Sequence, residues 1–273
     1  MQYTTRYNQQ KRRKMPYARG LAFYARQFAS LGDGAISSAR TGGLRVALML
    51  FCLCALALAG CAQNTGSTST QHIQQQGQTS DLTYVALGAS DTFGIGTDDP
   101  YVQNWPSDLA KKLNQPVHLI NLGIPGITVH EALTSELPIA LDAHPALVTV
   151  WLAVNDLATN VPVNSYKRDL NTLLSRLQAA APHARIAVGS MPDLTSVPFF
   201  FKDNPLTLEQ QIAAYNAAIS SAVTSHHAIL VDLSRQGYNL QAHPEYISHD
   251  GLHPSDIGYA KLAMLFYDSL QHA

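Results

Sequence analysis

Apolar residues along this chain fall into two alternating patterns. Short continuous runs rich in Val, Ile and Leu occupy positions 85–87, 117–122, 146–154, 185–190 and 228–233. Runs of this length, bounded by turn residues, predict buried strands of a parallel sheet. Between them, apolar positions recur at a spacing of three and four. Tyr166, Leu170, Leu173, Leu174 and Leu177 share one helical face that ends before Pro182. Leu208, Ile212, Tyr215, Ile219 and Val223 share another, and a closing helix carries Ile257, Leu262, Leu265 and Phe266. Strands alternating with helices predict an α/β fold, a parallel sheet of about five strands covered on both faces. No internal repeat interrupts the alternation.

The pattern begins only at about Asp81. From residue 62 to 80 the chain is Gln, Ser, Thr and Gly with almost nothing to bury. Such a stretch reads as a flexible spacer. Before it lies an uncharged apolar run from Val46 to Ala59, preceded by Arg40 and Arg45. At about 14 residues it is short of the ~20 that a membrane span needs, and it matches the apolar core of a secretion signal. It closes on Leu58-Ala59-Gly60-Cys61. The organisation read from the sequence is therefore an extension and signal over 1–60, a spacer over 61–80 and one folded domain over 81–273.

Charge sharpens this division. The chain carries a formal net charge of −1, but residues 1–60 hold nine Lys and Arg against the single acid Asp33. The remainder holds nine basic residues against 18 acidic ones. An acidic body without a basic run is a poor partner for nucleic acid, whose binding depends on phosphate neutralisation. All three cysteines, Cys52, Cys54 and Cys61, precede the spacer. The domain thus has no disulfide or thiolate metal site. Its histidines His226, His227 and His243 form no metal-ligand pattern, and Gly94-Ile95-Gly96 lacks the remainder of a phosphate-binding loop. Neither a metal nor another cofactor is expected.

Candidate chemistry clusters at strand ends. The first strand runs into Gly88-Ala89-Ser90, where a serine on a tight turn exposes its hydroxyl at the sheet edge that binds ligands in open α/β folds. Near the C-terminus, Asp250 stands three residues before His253, just ahead of the last helix. An Asp at that spacing can hold the imidazole by Nδ1 and leave Nε2 to take a serine proton. Gly123 follows the second strand and Asn155 the third. With the Ser90 N–H, they supply candidate donors for an oxyanion. Each feature alone also fits ordinary turn and cap chemistry.

Together these motifs resemble the SGNH/GDSL hydrolase family over essentially the whole domain. The likeness rests on Ser90 with Gly94, on Gly123, on Asn155-Asp156 and on the block Asp250-Gly251-Leu252-His253-Pro254-Ser255. The resemblance implies a three-layer α/β/α, flavodoxin-like fold and serine esterase activity of lipase or lysophospholipase type. By the same resemblance Ser90 is the nucleophile, His253 the base and Asp250 its orienting acid, with Ser90, Gly123 and Asn155 forming the oxyanion hole. Two positions depart from the family pattern: Ala89 replaces the acid before the serine, and Ala153 replaces a glycine before Asn155. The end of the apolar run resembles a bacterial lipoprotein signal. That implies a lipidated Cys61 and an extracytoplasmic protein anchored to the cell membrane.

The substrate side is carried by Phe199, Phe200 and Phe201. Three aromatics in a strand-to-helix loop can line an acyl pocket, face a membrane or pack as a satellite core. The expected substrate is a small or lipid ester. Removal of acetyl groups from envelope glycans is the second enzymatic reading, and a binding lipoprotein without turnover the third.

Overall fold

The computed structural model describes residues 81–273. Residues 1–80, on which the expected signal, the expected lipidation at Cys61 and the expected spacer fall, lie outside the described residues. Five strands follow the five apolar runs: β1 Leu82–Gly88, β2 Val117–Asn121, β3 Leu147–Trp151, β4 Arg185–Gly189 and β5 Ile229–Val231. They pair in parallel in the order β2-β1-β3-β4-β5. Every residue of β3 and the last five of β1 are buried. Strands covered on both faces need apolar residues at consecutive positions, which is why they read as unbroken runs. Tyr84 Oη and Thr149 Oγ1, 2.9 Å apart, satisfy each other between those two strands.

Eight helices complete three layers: α1 Ser90–Phe93, α2 Trp105–Lys112, α3 Val129–Ser135, α4 Leu137–Asp142, α5 Val154–Ala158, α6 Val163–Ala180, α7 Pro205–Ser225 and α8 Asp256–Gln271. Helices α2 and α8 pack together on one face, and α3, α4, α6 and α7 on the other. In the first layer Trp105 stacks on Phe266 at 4.2 Å and meets Trp151, at the end of β3, edge-on at 6.3 Å. In the second, Tyr166 tilts against Tyr215 at 4.9 Å.

The structure departs from the sequence reading in three places. The third run was expected to extend to Val154, but β3 ends at Trp151 and Val154 opens α5. The Leu152 carbonyl leaves the ladder to accept the buried Tyr166 hydroxyl at 2.7 Å. Ile257 was expected among the buried residues of the last helix, yet it is 57% exposed in the first turn of α8. The short helices α2 to α5 carry too few turns to show periodicity. Two of them are marked by local caps instead: for α2, Asn104 Oδ1 accepts the Ser107 N–H at 2.9 Å, and for α3, Thr128 with Glu131 forms a capping box.

The strand order has one consequence for the site. β2 lies on one side of β1 and β3 on the other, so the chain reverses direction across the sheet at β1. Such a reversal opens a crevice at the carboxyl ends of the two diverging strands. Ser90 follows β1, and Asn155 follows β3.

Candidate active site

Ser90 opens the four-residue α1, directly after the buried end of β1. His253 reaches it from the other end of the chain: its Nε2 lies 2.9 Å from Ser90 Oγ. Its Nδ1 lies 2.7 Å from Asp250 Oδ2. Local geometry prepares this. Ile247 pairs with Pro254 in an antiparallel bridge, closing residues 248–253 into a tight loop. Gly251 takes φ 77° there, a left-handed conformation that favours glycine. Asp250 Oδ1 accepts the N–H groups of Leu252 at 2.8 Å and His253 at 3.0 Å. Burial alone would raise the Asp250 carboxyl. The hydrogen bonds from the His253 ring, its N–H and the Leu252 N–H outweigh burial and hold the carboxyl well below the usual carboxylate range. An ionised carboxylate on Nδ1 keeps the proton on that nitrogen, so Nε2 is the free base facing Ser90.

Asn155 and Asp156 grip the loop between β2 and α3 from both sides of Thr128. Asn155 Nδ2 donates to the Ile127 carbonyl at 2.9 Å, and Asp156 Oδ2 accepts the Val129 N–H at 3.1 Å. The bond to Ile127 uses one amide hydrogen of Asn155 and leaves the second for a ligand. Burial pushes Asp156 up to about 6, against the Val129 hydrogen bond.

Gly123, expected among the oxyanion donors, stands against the Ser90 turn. Its N–H donates to Asn121 Oδ1 at 3.0 Å, so its only donor is used. A glycine stands there for closeness: a Cβ would lie 2.5 Å from the Phe93 nitrogen and 2.9 Å from the Ala89 carbonyl oxygen. Gly123 is the contact that seats the loop against the Ser90 turn. Gly126 is exposed at φ 85°, with open space around its Cα. Among the described residues, neither its N–H nor that of Ser90 meets an acceptor. Spacing could not say which N–H the protein itself consumes.

The cleft beside Ser90 is apolar. Trp151, Leu194, Val197, Tyr238, Leu240 and Leu252 line it with Ser90, Asn155 and His253, around a volume of about 50 Å³. The expectation that Phe199, Phe200 and Phe201 line the pocket is not met. Within the aromatic stretch only Val197 reaches the cleft. Phe200 is 3% exposed in the core, whereas Phe199 and Phe201 are 43% and 66% exposed. A short 3-10 turn over Pro198–Phe200 sends the three rings in different directions. The departures at Ala89 and Ala153 are accommodated. Ala153 has φ 179°, extended backbone that any residue adopts, and both methyl groups line the cleft.

Two acids near Ser90 were not singled out from the sequence. Asp91 lines the cleft, and burial pushes its carboxyl up to about 6 although the charge of His253 works against that. Glu136 is fully buried under the end of β1.

With this geometry in place, likeness to known proteins can be stated. The profile of the GDSL-like lipase/acylhydrolase family matches residues 64–261. No curated protein matches the sequence. Among solved structures, a psychrotrophic esterase from a Pseudoalteromonas species, described as inhibited by monoethylphosphonate, is 20% identical with a TM-score of 0.57. It covers 70% of this chain and 98% of its own. A lipase/acylhydrolase from Enterococcus faecalis is 21% identical with a TM-score of 0.57, covering 70% of this chain and 96% of its own. A family 3 carbohydrate esterase from Clostridium thermocellum is 19% identical with a TM-score of 0.55, covering 69% and 94%. These identities establish a shared fold. The family match spans most of the chain: the protein belongs to the GDSL-like lipase/acylhydrolase family and is a serine carboxylic ester hydrolase.

Proposed function

We propose that the protein hydrolyses carboxylic esters of short acyl chains through an acyl-enzyme on Ser90. The observation that carries this reading is the continuous line Asp250–His253–Ser90, with contacts of 2.7 and 2.9 Å. As Oγ attacks the ester carbonyl carbon, its proton passes to His253 Nε2. The imidazolium that forms faces the ionised Asp250. The carbonyl oxygen becomes an oxyanion, and the donors at hand for it are the Ser90 N–H and the second Asn155 amide hydrogen. When the tetrahedral intermediate collapses, the bond to the alcohol oxygen breaks and Nε2 returns the proton to that oxygen. Water then repeats the sequence on the acyl-enzyme, giving the acid and free Ser90.

The size of the cleft supports a short acyl group. At roughly 10–15 Å³ for each water-sized occupant, its volume of about 50 Å³ holds an acetyl to butyryl chain. Apolar walls favour each added methylene by about 0.8 kcal/mol until the space is full. The small volume also favours the second reading, release of acetyl groups from a glycan, and the carbohydrate esterase shares the fold.

Two measurements test this. A fluorophosphonate probe should label the wild-type protein and leave Ser90→Ala unlabelled; equal labelling of both would remove Ser90 from the mechanism. Across p-nitrophenyl esters, kcat/KM should rise to the butyrate and drop beyond it. A steady rise to octanoate would reject the short-chain assignment.

We further infer a lipid anchor at Cys61 on the extracytoplasmic face of the membrane. Its support is the sequence alone: the apolar run ending in Leu58-Ala59-Gly60-Cys61 and the Gln/Ser/Thr spacer behind it. Mass spectrometry of membrane-extracted protein should find a diacylglyceryl group on Cys61 and nothing from residues 1–60. Peptides joining Arg45 to Cys61 in that material would reject cleavage.

A further inference from the structure

One buried carboxyl stands outside the hydrogen-bonded line at Ser90. Glu136 occupies the break between α3 and α4 and is completely buried. Its Oε1 accepts the Gly88 N–H at 3.4 Å, and its Oε2 has no partner. Gly88 ends β1, two residues before Ser90, and its carbonyl accepts the Ile124 N–H at 3.0 Å. Glu136 therefore sits against the joint between the Ser90 turn and the 123–126 loop. The first of those segments carries the free N–H of Ser90, and the second is seated against it at Gly123. Thr92 Oγ1, also buried and unpartnered, lines the same joint: a Cβ on Gly88 would fall 1.9 Å from it.

Among the described residues, no cation compensates this acid. On α3, His130 is bonded to Asp169 and Glu131 to Thr128. Across on α6, Arg168 faces Asp169, and Arg176 donates to the Leu133 carbonyl. Asp142 closes α4. Asp91 alone acts on Glu136 from nearby, and its negative charge favours the neutral form. Leaving a carboxylate in such a site with one long hydrogen bond is costly, so the group keeps its proton. Burial pushes it up to about 9, above the opposing pull of the Gly88 and Ile124 N–H groups. A neutral carboxyl can also donate, which a carboxylate cannot.

We propose that Glu136 is a positioning residue that works as the neutral acid, bracing the end of β1 against the 123–126 loop so that the oxyanion donors hold their geometry. The proposal rests on the oxyanion assignment above. Ionisation at alkaline pH inserts a bare charge into the joint and misplaces the donors. Misplacement by about 1 Å is worth up to about a hundredfold in rate.

The test compares wild type, Glu136→Gln and Glu136→Ala on p-nitrophenyl butyrate from pH 6 to 10. Gln is neutral at every pH and nearly the same shape. It should keep kcat within about twofold at pH 7 and lack the alkaline fall expected of wild type near 9. Glu136→Ala should lose between about ten- and a hundredfold in kcat with KM nearly unchanged. A Gln variant as impaired as Ala, or an alkaline limb unchanged by Gln, overturns the proposal. Should the Ala variant fail to fold, the Gln profile decides alone.

A second readout is independent of catalysis. The folded protein retains a Glu136 proton that the unfolded chain releases above about 4.5, so this residue's contribution to stability falls as pH rises toward 9. Glu136→Gln should melt above wild type at pH 8, with the gap closing near pH 4.5. A constant gap would mean that Glu136 is ionised in the fold and would sink the idea. A closing gap with no turnover in any variant would instead reject the esterase reading and leave the neutral acid standing.

Discussion

Asn155 shows how much one side chain contributes at the residue scale. Its amide spends one hydrogen on Ile127, which fixes the other in space before any substrate binds. A donor held in advance costs no reorganisation when the oxyanion forms. Asn155→Ala should therefore lower kcat by about 10²–10³-fold, a loss of about 2.7–4 kcal/mol in the transition state, with KM nearly unchanged. Steady-state kinetics on the butyrate ester check this, and an effect confined to KM would make Asn155 a ground-state binding residue. His253→Ala belongs beside it, with an expected loss of about 10³-fold or more in kcat because Ser90 would have no base. His249, four residues earlier and outside the cleft lining, should tolerate the same change.

At the scale of elements, the end of β3 sets the depth of the cleft. Trp151 is the last strand residue, and its indole N–H donates to the Ser190 carbonyl just past β4 at 3.1 Å. The ring lies over Gly189, where a Cβ would meet Trp151 Cδ1 at 2.7 Å. Strand pairing on one side and Trp105 on the other keep it from swinging away. A side chain so held is a fixed wall of the cleft. Trp151→Val should lengthen the preferred acyl chain beyond butyrate. It should also cost about 3–5 kcal/mol of stability, the range for large aromatic losses from a core. The p-nitrophenyl ester series and urea unfolding read the two effects separately. An unchanged chain-length optimum in a folded variant would place the limit on another wall.

Over the whole molecule, buried acids set the dependence of stability on pH. Burial raises Asp91 and Asp156 to about 6 and Glu136 to about 9. Between the ordinary carboxylate range and these values, the folded state holds protons that the unfolded chain has released. Stability from these groups therefore declines as pH rises from about 4 to 9. Asp250, held low, acts in the opposite sense, and its contribution disappears only as pH falls below the usual carboxylate range. The melting temperature should thus be highest in mild acid and fall toward pH 9. Thermal unfolding followed from pH 4 to 9 tests this, and a maximum at pH 8 would contradict it.

The sequence by itself determined the sheet and the line from Asp250 through His253 to Ser90. β1, β3 and β4, buried over most of their length, must be apolar at consecutive positions, so they showed as runs whatever packed against them. The long helices α6, α7 and α8 were legible because each spans enough turns for one face to repeat. Ser90, Asp250 and His253 were legible because each is bound to local geometry: a turn after a buried strand, and a carboxylate three residues from a ring on a tight loop. Tertiary structure alone decided which N–H groups remain free. Asn121 consumes the donor of Gly123, and spacing carries no trace of that bond. It also separated Phe200, in the core, from Phe199 and Phe201 in solvent, because a single 3-10 turn redirects neighbouring side chains. The state of Glu136 was beyond reach for the same reason. An acid before an apolar helix reads as an ordinary first-turn residue until Gly88, 48 positions away, is folded against it and solvent is gone.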